Sequence, residues 1–200
     1  MLITGIKSRP IYDTLHPLPR AHRHIIAAQG TGGEAVMRLL EPMGGLRSSV
    51  ELLYSSESFS GNDLSDRLKG LDCGSAEFFP ANDDLVRRLS SLLASAKIGT
   101  ALYLAGSETF IGRAMQVATD HDLRSDQVLR EHCGTLARRV ICMHCGEYNE
   151  GIAKRVFRCQ ACREHLVVRD HYSRHWAAFM GVKADAETPG IIPPNEDLDT

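Results

Sequence analysis

The chain has 200 residues, of which 43% are hydrophobic and 24% are charged, and its formal net charge is −2. This composition excludes a mainly disordered chain and a protein that binds polyanions over its whole surface. No stretch approaches the roughly 20 apolar residues of a membrane span, and the polar N-terminus is unlike a secretory signal, so we expect a cytoplasmic protein with no membrane partner.

Residues 1–20 form the first segment of the chain. They contain three of the eight prolines and show no hydrophobic periodicity. Such a sequence is typical of an extended arm. The arm is either a lead-in strand or a clamp on a partner, and the sequence leaves both open.

Residues 21–138 alternate short apolar runs with amphipathic helices. The predicted strands are His24–Gln29, Val50–Ser55, Ala76–Pro80, Thr100–Ala105 and a weaker one at Gln127–Glu131. The predicted helices carry apolar faces formed by Val36, Leu39, Leu40 and Met43, and by Leu85, Leu89, Leu92 and Leu93, and a third helix begins after Ser107. Parallel strands need crossover connections, and strands that are apolar on both faces are covered by helices. We therefore predict a Rossmann-like, three-layer α/β domain with a parallel sheet.

A glycine-rich turn, Gly30-Thr31-Gly32-Gly33, joins the first predicted strand to the first helix. Backbone N–H groups and the helix dipole can hold a phosphate at such a turn, so these four residues are the candidate cofactor-binding residues. The third glycine of the dinucleotide motif is absent, and no acidic residue is assigned to a ribose. The alternative is that these glycines only let the chain reverse.

Four of the six cysteines fall within 21 residues, as Cys142-x2-Cys145 and Cys159-x2-Cys162. In a reducing compartment such a cluster indicates metal binding more than disulfides. Each pair follows a strand-like run, and two such knuckles can present four thiolates to one ion. We therefore predict a four-cysteine, zinc-ribbon-like module over residues 139–181. A segment this small cannot bury enough apolar surface to be stable alone, so it needs an additional stabilising element such as a bound metal.

The ligand set alone does not choose the metal. Four thiolates suit structural Zn²⁺, mononuclear iron of the rubredoxin type or, less easily, an iron–sulfur cluster. Zinc would be redox-silent and would contribute folding energy, whereas iron would make the module an electron relay. We expect zinc, with mononuclear iron as the alternative.

The end of the chain is predicted as a helix and a tail. The run Ser173–Val182 contains Trp176 and is interpreted as a short amphipathic C-terminal helix. Residues 182–200 hold five acidic residues, one lysine and three prolines, and are predicted to form an acidic extended tail. Residues 138–175, in contrast, carry eight Lys or Arg against four Asp or Glu. Opposite charges on separate segments are either a docking device or ordinary solvated faces.

Two family resemblances extend this interpretation. IIAAQGTGG, VELLYSSE, TALYLAGSETF and DLRSDQVLRE resemble the nucleotide-binding half of ferredoxin reductases. Ala105 and Ser107 replace the cysteine and proline of the late turn in that family, and too few residues precede the first strand for a flavin-binding barrel. The resemblance therefore implies a reductase-like fold without a complete catalytic centre, and no residue is assigned a catalytic role.

The whole chain, over roughly residues 10 to 195, resembles the small A-type subunit of bacterial dimethylamine monooxygenase. The most specific segments are RRVICMHCG, CQACREHLVVRDHYSRHWAAFMGVKADAETPG and IIPP. This resemblance implies a subunit of a haem-dependent amine demethylase, with haem on an oxygenase subunit and flavin and an iron–sulfur cluster on a reductase subunit. Our expectation is a non-haem subunit that docks reductase to oxygenase.

The alternatives are an iron-containing electron relay and a zinc-ribbon nucleic-acid-binding protein. The basic ribbon favours the second of these. The slightly negative net charge and the lack of clustered aromatic residues argue against it, so a nucleic-acid partner is not expected.

Overall fold

The computed structural model describes residues 8–59 and 61–198. The chain divides into two units: an α/β unit of residues 12–135, and a ribbon unit of residues 136–198 together with residues 8–11. None of the helices in the described part of the chain has both the length and the hydropathy that crossing a bilayer requires.

The α/β unit contains five strands and four α-helices among its described residues. In chain order these are β1 (Arg23–Gln29), α1 (Gly32–Leu40), β2 (Val50–Ser55), α2 (Ser65–Lys69), β3 (Ser75–Phe79), α3 (Asn82–Leu93), β4 (Thr100–Gly106), α4 (Glu108–Asp120) and β5 (Val128–His132), with 3-10 helices at Glu41–Ser49 and Ser125–Gln127. The strands form one parallel sheet in the order β3-β2-β1-β4-β5. This is a doubly wound arrangement whose strand order reverses between β1 and β4.

Helices cover both faces of this sheet. One face of the sheet packs with α1 and α2 around Ile26, Tyr54 and Tyr103. The other face packs with α3 and α4 around Leu53 and Leu104. The predicted three-layer α/β architecture is therefore confirmed, and its reason is the one expected: strands that are apolar on both faces must be covered on both sides.

Helix boundaries follow the local signals only in part. Ser107 caps α4 as predicted, since its Oγ accepts the N–H of Phe110. The start of α3, in contrast, has no side-chain cap: Ala81 precedes the helix, and Asn82 lies inside it. The Asn82 amide donates instead to the carbonyl of Glu57, which lies far away in sequence.

Part of the proline-rich N-terminal segment packs into the α/β unit. The N–H of Asp13 donates to the carbonyl of Arg130 at 3.1 Å, and the N–H of Leu18 donates to the hydroxyl of Tyr103 at 2.9 Å. Leu15 is only 5% exposed. Residues 1–7 of the predicted arm lie outside the described residues.

The ribbon unit is a second five-stranded sheet. Its strands are β6 (Arg138–Cys142), β7 (Tyr148–Ile152), β8 (Val156–Arg158), β9 (His165–Ser173) and β10 (Ala178–Lys183), in the order β7-β6-β10-β9-β8. All neighbours are antiparallel except β6 and β10. Two small clusters form its core, one around Val140, Val168, Phe179 and Leu198 and one around Cys142, Cys159 and Leu166.

The short C-terminal helix predicted over Ser173–Val182 is wrong. This segment contains the end of β9, a turn, and β10. Ala177 adopts a positive φ of 46° in the turn, and Phe179 in β10 pairs with strands on both sides. An apolar run of this length suits either a helix or a buried strand. Here the strand is favoured because β6 and β9 provide hydrogen-bond partners for the backbone N–H and C=O groups of the segment.

Both termini of the described chain are held against the ribbon sheet. Ser8 bridges to His171 beside β9, and Asp197 bridges to Lys154. Leu198 is 4% exposed and belongs to the ribbon core. The predicted acidic tail begins within β10 and continues through turns and bends at residues 184–190, and its last described residues pack into the fold.

Candidate metal centre

The four clustered cysteines lie on two turns of the same design. The first turn connects β6 to β7, and the second connects β8 to β9. In each, the N–H of the first cysteine donates across the turn: that of Cys142 to the carbonyl of Glu147 at 2.8 Å, and that of Cys159 to the carbonyl of Glu164 at 2.9 Å. The two turns therefore aim their cysteine pairs in the same way.

The residue after each cysteine pair adopts a left-handed conformation. Gly146 has φ of 77° and Arg163 has φ of 64°, and their N–H groups donate back to the carbonyls of Cys142 and Cys159. Glycine takes this conformation without strain, whereas a residue with a side chain costs about 1–2 kcal/mol. The second turn tolerates this cost because the hydrogen bonds around it fix the backbone.

The four sulfur atoms converge on one point. All four Sγ atoms lie within 4.8 Å of one another. The shortest separations are 3.8 Å between Cys142 and Cys162 and 3.7 Å between Cys145 and Cys159. A regular tetrahedron with Zn–S bonds of about 2.3 Å has edges of about 3.8 Å, whereas a disulfide needs sulfurs about 2.05 Å apart. The donor set therefore fits a single thiophilic cation, and all four thiols are free.

Hydrogen bonds distinguish the sulfurs from one another. Burial raises the pKa of Cys142, although it accepts two backbone N–H groups. Burial would also raise the pKa of Cys159, but N–H groups of Cys162 and Ala161 and the amide of Asn149 lower it. Of the two buried sulfurs, Cys159 therefore receives one hydrogen-bond donor more than Cys142, and a bound cation would favour the thiolate form of the ligands.

Cys73 and Cys133 are not members of this cluster. Both are half-buried and pack against the apolar core of the α/β unit. Burial raises the pKa of Cys133 to about 11, which keeps its thiol protonated at neutral pH. Such an environment suits thiols that act as small apolar side chains.

The predicted phosphate turn uses part of its backbone donors within the protein. The N–H groups of Gly30, Gly33 and Glu34 donate to the carbonyls of Ser55, Gly30 and Thr31, at 2.9, 3.1 and 3.1 Å. A phosphate would have to displace these bonds. The phosphate interpretation of Gly30, Thr31, Gly32 and Gly33 stays a prediction, and this geometry does not favour it.

A buried polar side chain lies at the carboxyl end of the sheet beside that turn. Gln29 ends β1 at the point where the strand order reverses, and it is 5% exposed. Its Oε1 accepts both the N–H and the hydroxyl of Ser107, at 3.1 and 2.9 Å. Open α/β sheets bind ligands at this end of the strands, so the Gln29–Ser107 contact lies where the fold class places its ligands.

Close packing explains the glycines of the turn. A Cβ atom on Gly32 would lie 2.3 Å from the carbonyl oxygen of Ala105, and one on Gly33 would lie 3.0 Å from Leu64. Gly30 has φ of 52°, and a Cβ there would meet Ser58 at 2.5 Å. The turn thus needs glycine for helix–strand contact, whatever it binds.

Gly32→Val is therefore expected to destabilise the α/β unit by about 3 kcal/mol, since the new side chain meets backbone atoms that cannot move aside. Thermal unfolding of the variant measures this change. The control is Gly45→Ala, because nothing lies within 4 Å of a Cβ at that position. Equal stability of both variants and the wild type would contradict the packing argument.

A partly buried carboxylate, which the sequence did not single out, organises the ribbon unit. Asp170 accepts hydrogen bonds from Arg9 at 2.6 Å and Arg138 at 3.0 Å, and Arg155 lies 3.9 Å away. The Arg138 side chain is 5% exposed and stacks on Phe179, 4.3 Å from the ring centroid. Asp170 lies within the family-specific segment CQACREHLVVRDHYSRHWAAFMGVKADAETPG, but nothing in that segment's spacing distinguished this carboxylate from the others.

The opposite charges of the ribbon and the tail meet within the unit. Lys154 pairs with Asp197, Arg155 with Glu196, and Arg169 with Glu187. Salt bridges of this exposed kind contribute about 0–1 kcal/mol each. Part of the charge contrast between these segments thus serves the fold of the ribbon unit itself.

Together these features define a class of protein: a doubly wound α/β unit, joined in sequence to a β-ribbon with a four-thiol site. Two family models match the chain, the N-terminal domain of the DmmA-like dimethylamine monooxygenase subunit over residues 4–128 and its C-terminal domain over residues 139–182. The chain belongs to this family, which confirms the resemblance seen in the sequence.

One curated relative and several solved structures are similar to the chain. The "heme-dependent oxidative N-demethylase delta subunit" of Ectopseudomonas mendocina (strain ymp) is 28% identical over 188 residues, which cover 93% of this chain and 94% of the relative. Phthalate dioxygenase reductase gives a TM-score of 0.48 at 20% identity, over 67% of this chain and 45% of its own. A ferredoxin NADP⁺ reductase from Neisseria gonorrhoeae gives 0.42 at 17% identity, over 57% of each chain.

Proposed function

We propose that this chain is a non-haem subunit of a multi-subunit monooxygenase that oxidatively demethylates dimethylamine. The balanced reaction of such a complex is (CH₃)₂NH + O₂ + NAD(P)H + H⁺ → CH₃NH₂ + HCHO + H₂O + NAD(P)⁺. Family membership supports this proposal, as does a relative of nearly equal length that is named as a subunit of a heme-dependent oxidative N-demethylase. In this proposal, haem, flavin and the iron–sulfur cluster belong to the oxygenase and reductase partner subunits, and this chain docks one to the other.

The end of the sheet where this fold class binds ligands supports docking over catalysis. Gln29 is bonded to Ser107 there, and the N–H groups of Gly30 and Gly33 in the glycine turn donate to carbonyls of the chain itself. An α/β unit of this fold class can serve as a scaffold for other subunits without binding a ligand of its own. We accordingly assign no catalytic residue to this chain, and we place the complex in the cytoplasm.

We propose that Cys142, Cys145, Cys159 and Cys162 hold a structural Zn²⁺. The observation that carries this proposal is the convergence of four sulfurs within 4.8 Å on two matched turns. A zinc ion with four thiolates has no open position, so it supplies folding energy and not Lewis-acid chemistry. The ribbon unit needs the stabilisation that a bound metal ion provides, because its clusters of buried apolar side chains are small.

An electron relay through mononuclear iron at the same thiolates is the second candidate. The exposure of Cys145 favours it, since a relay needs a sulfur ligand near the surface where a partner can dock. Elemental analysis with an absorption spectrum separates the two. Zinc gives a colourless protein with one ion per chain, whereas iron gives visible thiolate charge-transfer bands.

The docking function is tested by co-expression of this chain with the haem and reductase subunits, followed by size-exclusion chromatography. We expect the chain to elute with both partners, and its omission to lower NAD(P)H-driven formaldehyde release without changing the haem content of the oxygenase subunit. A chain that elutes alone beside an assembled, fully active complex of the other subunits would contradict the proposal.

A further inference from the structure

One buried amide joins the two cysteine turns. Asn149 lies on β7, next to the first turn, and is 3% exposed. Its amide nitrogen lies within hydrogen-bonding distance of the carbonyl of Glu147, at 3.2 Å, and of the sulfur of Cys159, at 3.7 Å. Its carbonyl oxygen accepts the N–H of Gln160 at 2.9 Å. A single side chain therefore binds the backbone of both turns and one sulfur.

A second side chain closes the same junction from the solvent side. The amide of Gln160 donates to the carboxylate of Glu147 at 2.8 Å and to the carbonyl of Tyr148 at 2.7 Å. Gln160 makes no contact with a sulfur in this set of bonds. The two amides thus share the task of joining the turns, but only Asn149 reaches a cysteine.

The contact with Cys159 makes the four sulfurs unequal. The Cys159 sulfur accepts backbone N–H groups of Ala161 and Cys162 and, in addition, the Asn149 amide. The corresponding buried sulfur of the first turn, Cys142, accepts only the backbone N–H groups of His144 and Cys145 among donors of this kind. A hydrogen bond to a ligand atom both orients it and stabilises its charge, and loss of such an outer contact typically costs roughly 10–100-fold in metal affinity.

We propose that Asn149 is a positioning residue of the metal centre, which holds the Cys159 thiolate in place and fixes the spacing of the two turns. This inference rests on the proposed metal site. It assigns the role to the N–H donor of the amide, because a side chain that only filled space would bond neither the sulfur nor both turns.

The test uses the full-length chain loaded with Zn²⁺ or with Co²⁺, whose thiolate charge-transfer bands report on the sulfurs. Asn149→Asp keeps the size of the side chain and the acceptor for Gln160 but removes the N–H donors. Asn149→Ala removes both. We expect each variant to release metal to a chelator roughly 10–100-fold faster than the wild type, and to shift the cobalt–thiolate bands.

The matched control is Gln160→Ala, which opens the outer contact and leaves the sulfur bond intact. We expect a smaller change in its release rate and no shift of its cobalt bands. Wild-type bands and release rates in Asn149→Asp would overturn the inference, even if Asn149→Ala failed to fold. A wild-type chain that binds neither Zn²⁺ nor Co²⁺ would instead overturn the metal site itself, so the two failures are distinguishable.

Discussion

Replacing Cys142 or Cys159 with serine is expected to release the metal and unfold the ribbon unit while the α/β unit stays folded. Structural zinc contributes about 10–16 kcal/mol in small modules, whereas a whole domain is stable by only about 5–15 kcal/mol. Both sulfurs are buried within one of the small core clusters of the ribbon unit. The α/β unit has two extensive cores of its own, so it does not depend on these thiolates.

Metal content and hydrogen exchange resolved along the chain measure this result. Exchange protection should disappear over residues 138–183 and persist in β1 and β4. Cys73→Ser is the matched control, because this thiol lies outside the four-sulfur cluster, and it should keep both the metal and the protection. Full metal retention by both cluster variants, or loss of protection over the whole chain, would contradict the expected division.

The second large effect is expected at Asp170. Asp170→Asn removes the carboxylate that Arg9, Arg138 and Arg155 share, and takes this negative charge away from the buried guanidinium of Arg138. Removal of one partner of a buried ion pair costs about 3–5 kcal/mol. The free energy of unfolding of the ribbon unit, measured with urea, should fall by about this amount.

A surface carboxylate provides the control for that variant. Asp197 is 73% exposed and pairs with Lys154, so Asp197→Asn should cost less than about 1 kcal/mol. Similar losses in the two variants would show that the burial of Asp170 is not what matters.

Acid titration offers an independent test of the same hub. Burial would raise the pKa of Asp170, but hydrogen bonds from Arg9 and Arg138 lower it below the ordinary value of 3.8. A carboxyl group with a lowered pKa stabilises the fold above its unfolded-state pKa, and this contribution disappears as the pH falls through the folded-state value. The wild-type ribbon unit should therefore lose stability below about pH 4. Asp170→Asn should lack this component, and an unchanged acid slope would contradict the assignment.

Local sequence patterns predicted the α/β unit because its strands and helices are specified by the spacing of apolar residues within each element. Ile25 and Ile26 are consecutive residues of one strand and are buried on opposite faces of the sheet. The leucines from Leu85 to Leu93 are spaced so that they all lie on one side of α3. The cysteine spacing of the ribbon unit is equally local, since a turn of two residues places both thiols of a pair on one side. These signals were sufficient for the architecture, for the four candidate ligands and for the family.

What surrounds those ligands depends on contacts between residues far apart in sequence. Asn149 and Gln160 follow no spacing rule, and their role exists only because two hairpins bring the cysteine turns together. Gln29 is the last residue of an ordinary strand. Its side chain is held by hydrogen bonds from Ser107, which is 78 residues away in the sequence.

The three-layer α/β architecture and the two cysteine pairs could be predicted from the sequence, because backbone period and turn geometry act over a few residues. Only the tertiary structure decided that Phe179 lies in a strand, that Asp170 gathers three arginines, and that the acidic tail packs through Leu198. The physical reason is the same for all three. Each of these residues is held by contacts with residues that are distant in sequence. A local sequence pattern does not contain the information about which distant residues these are.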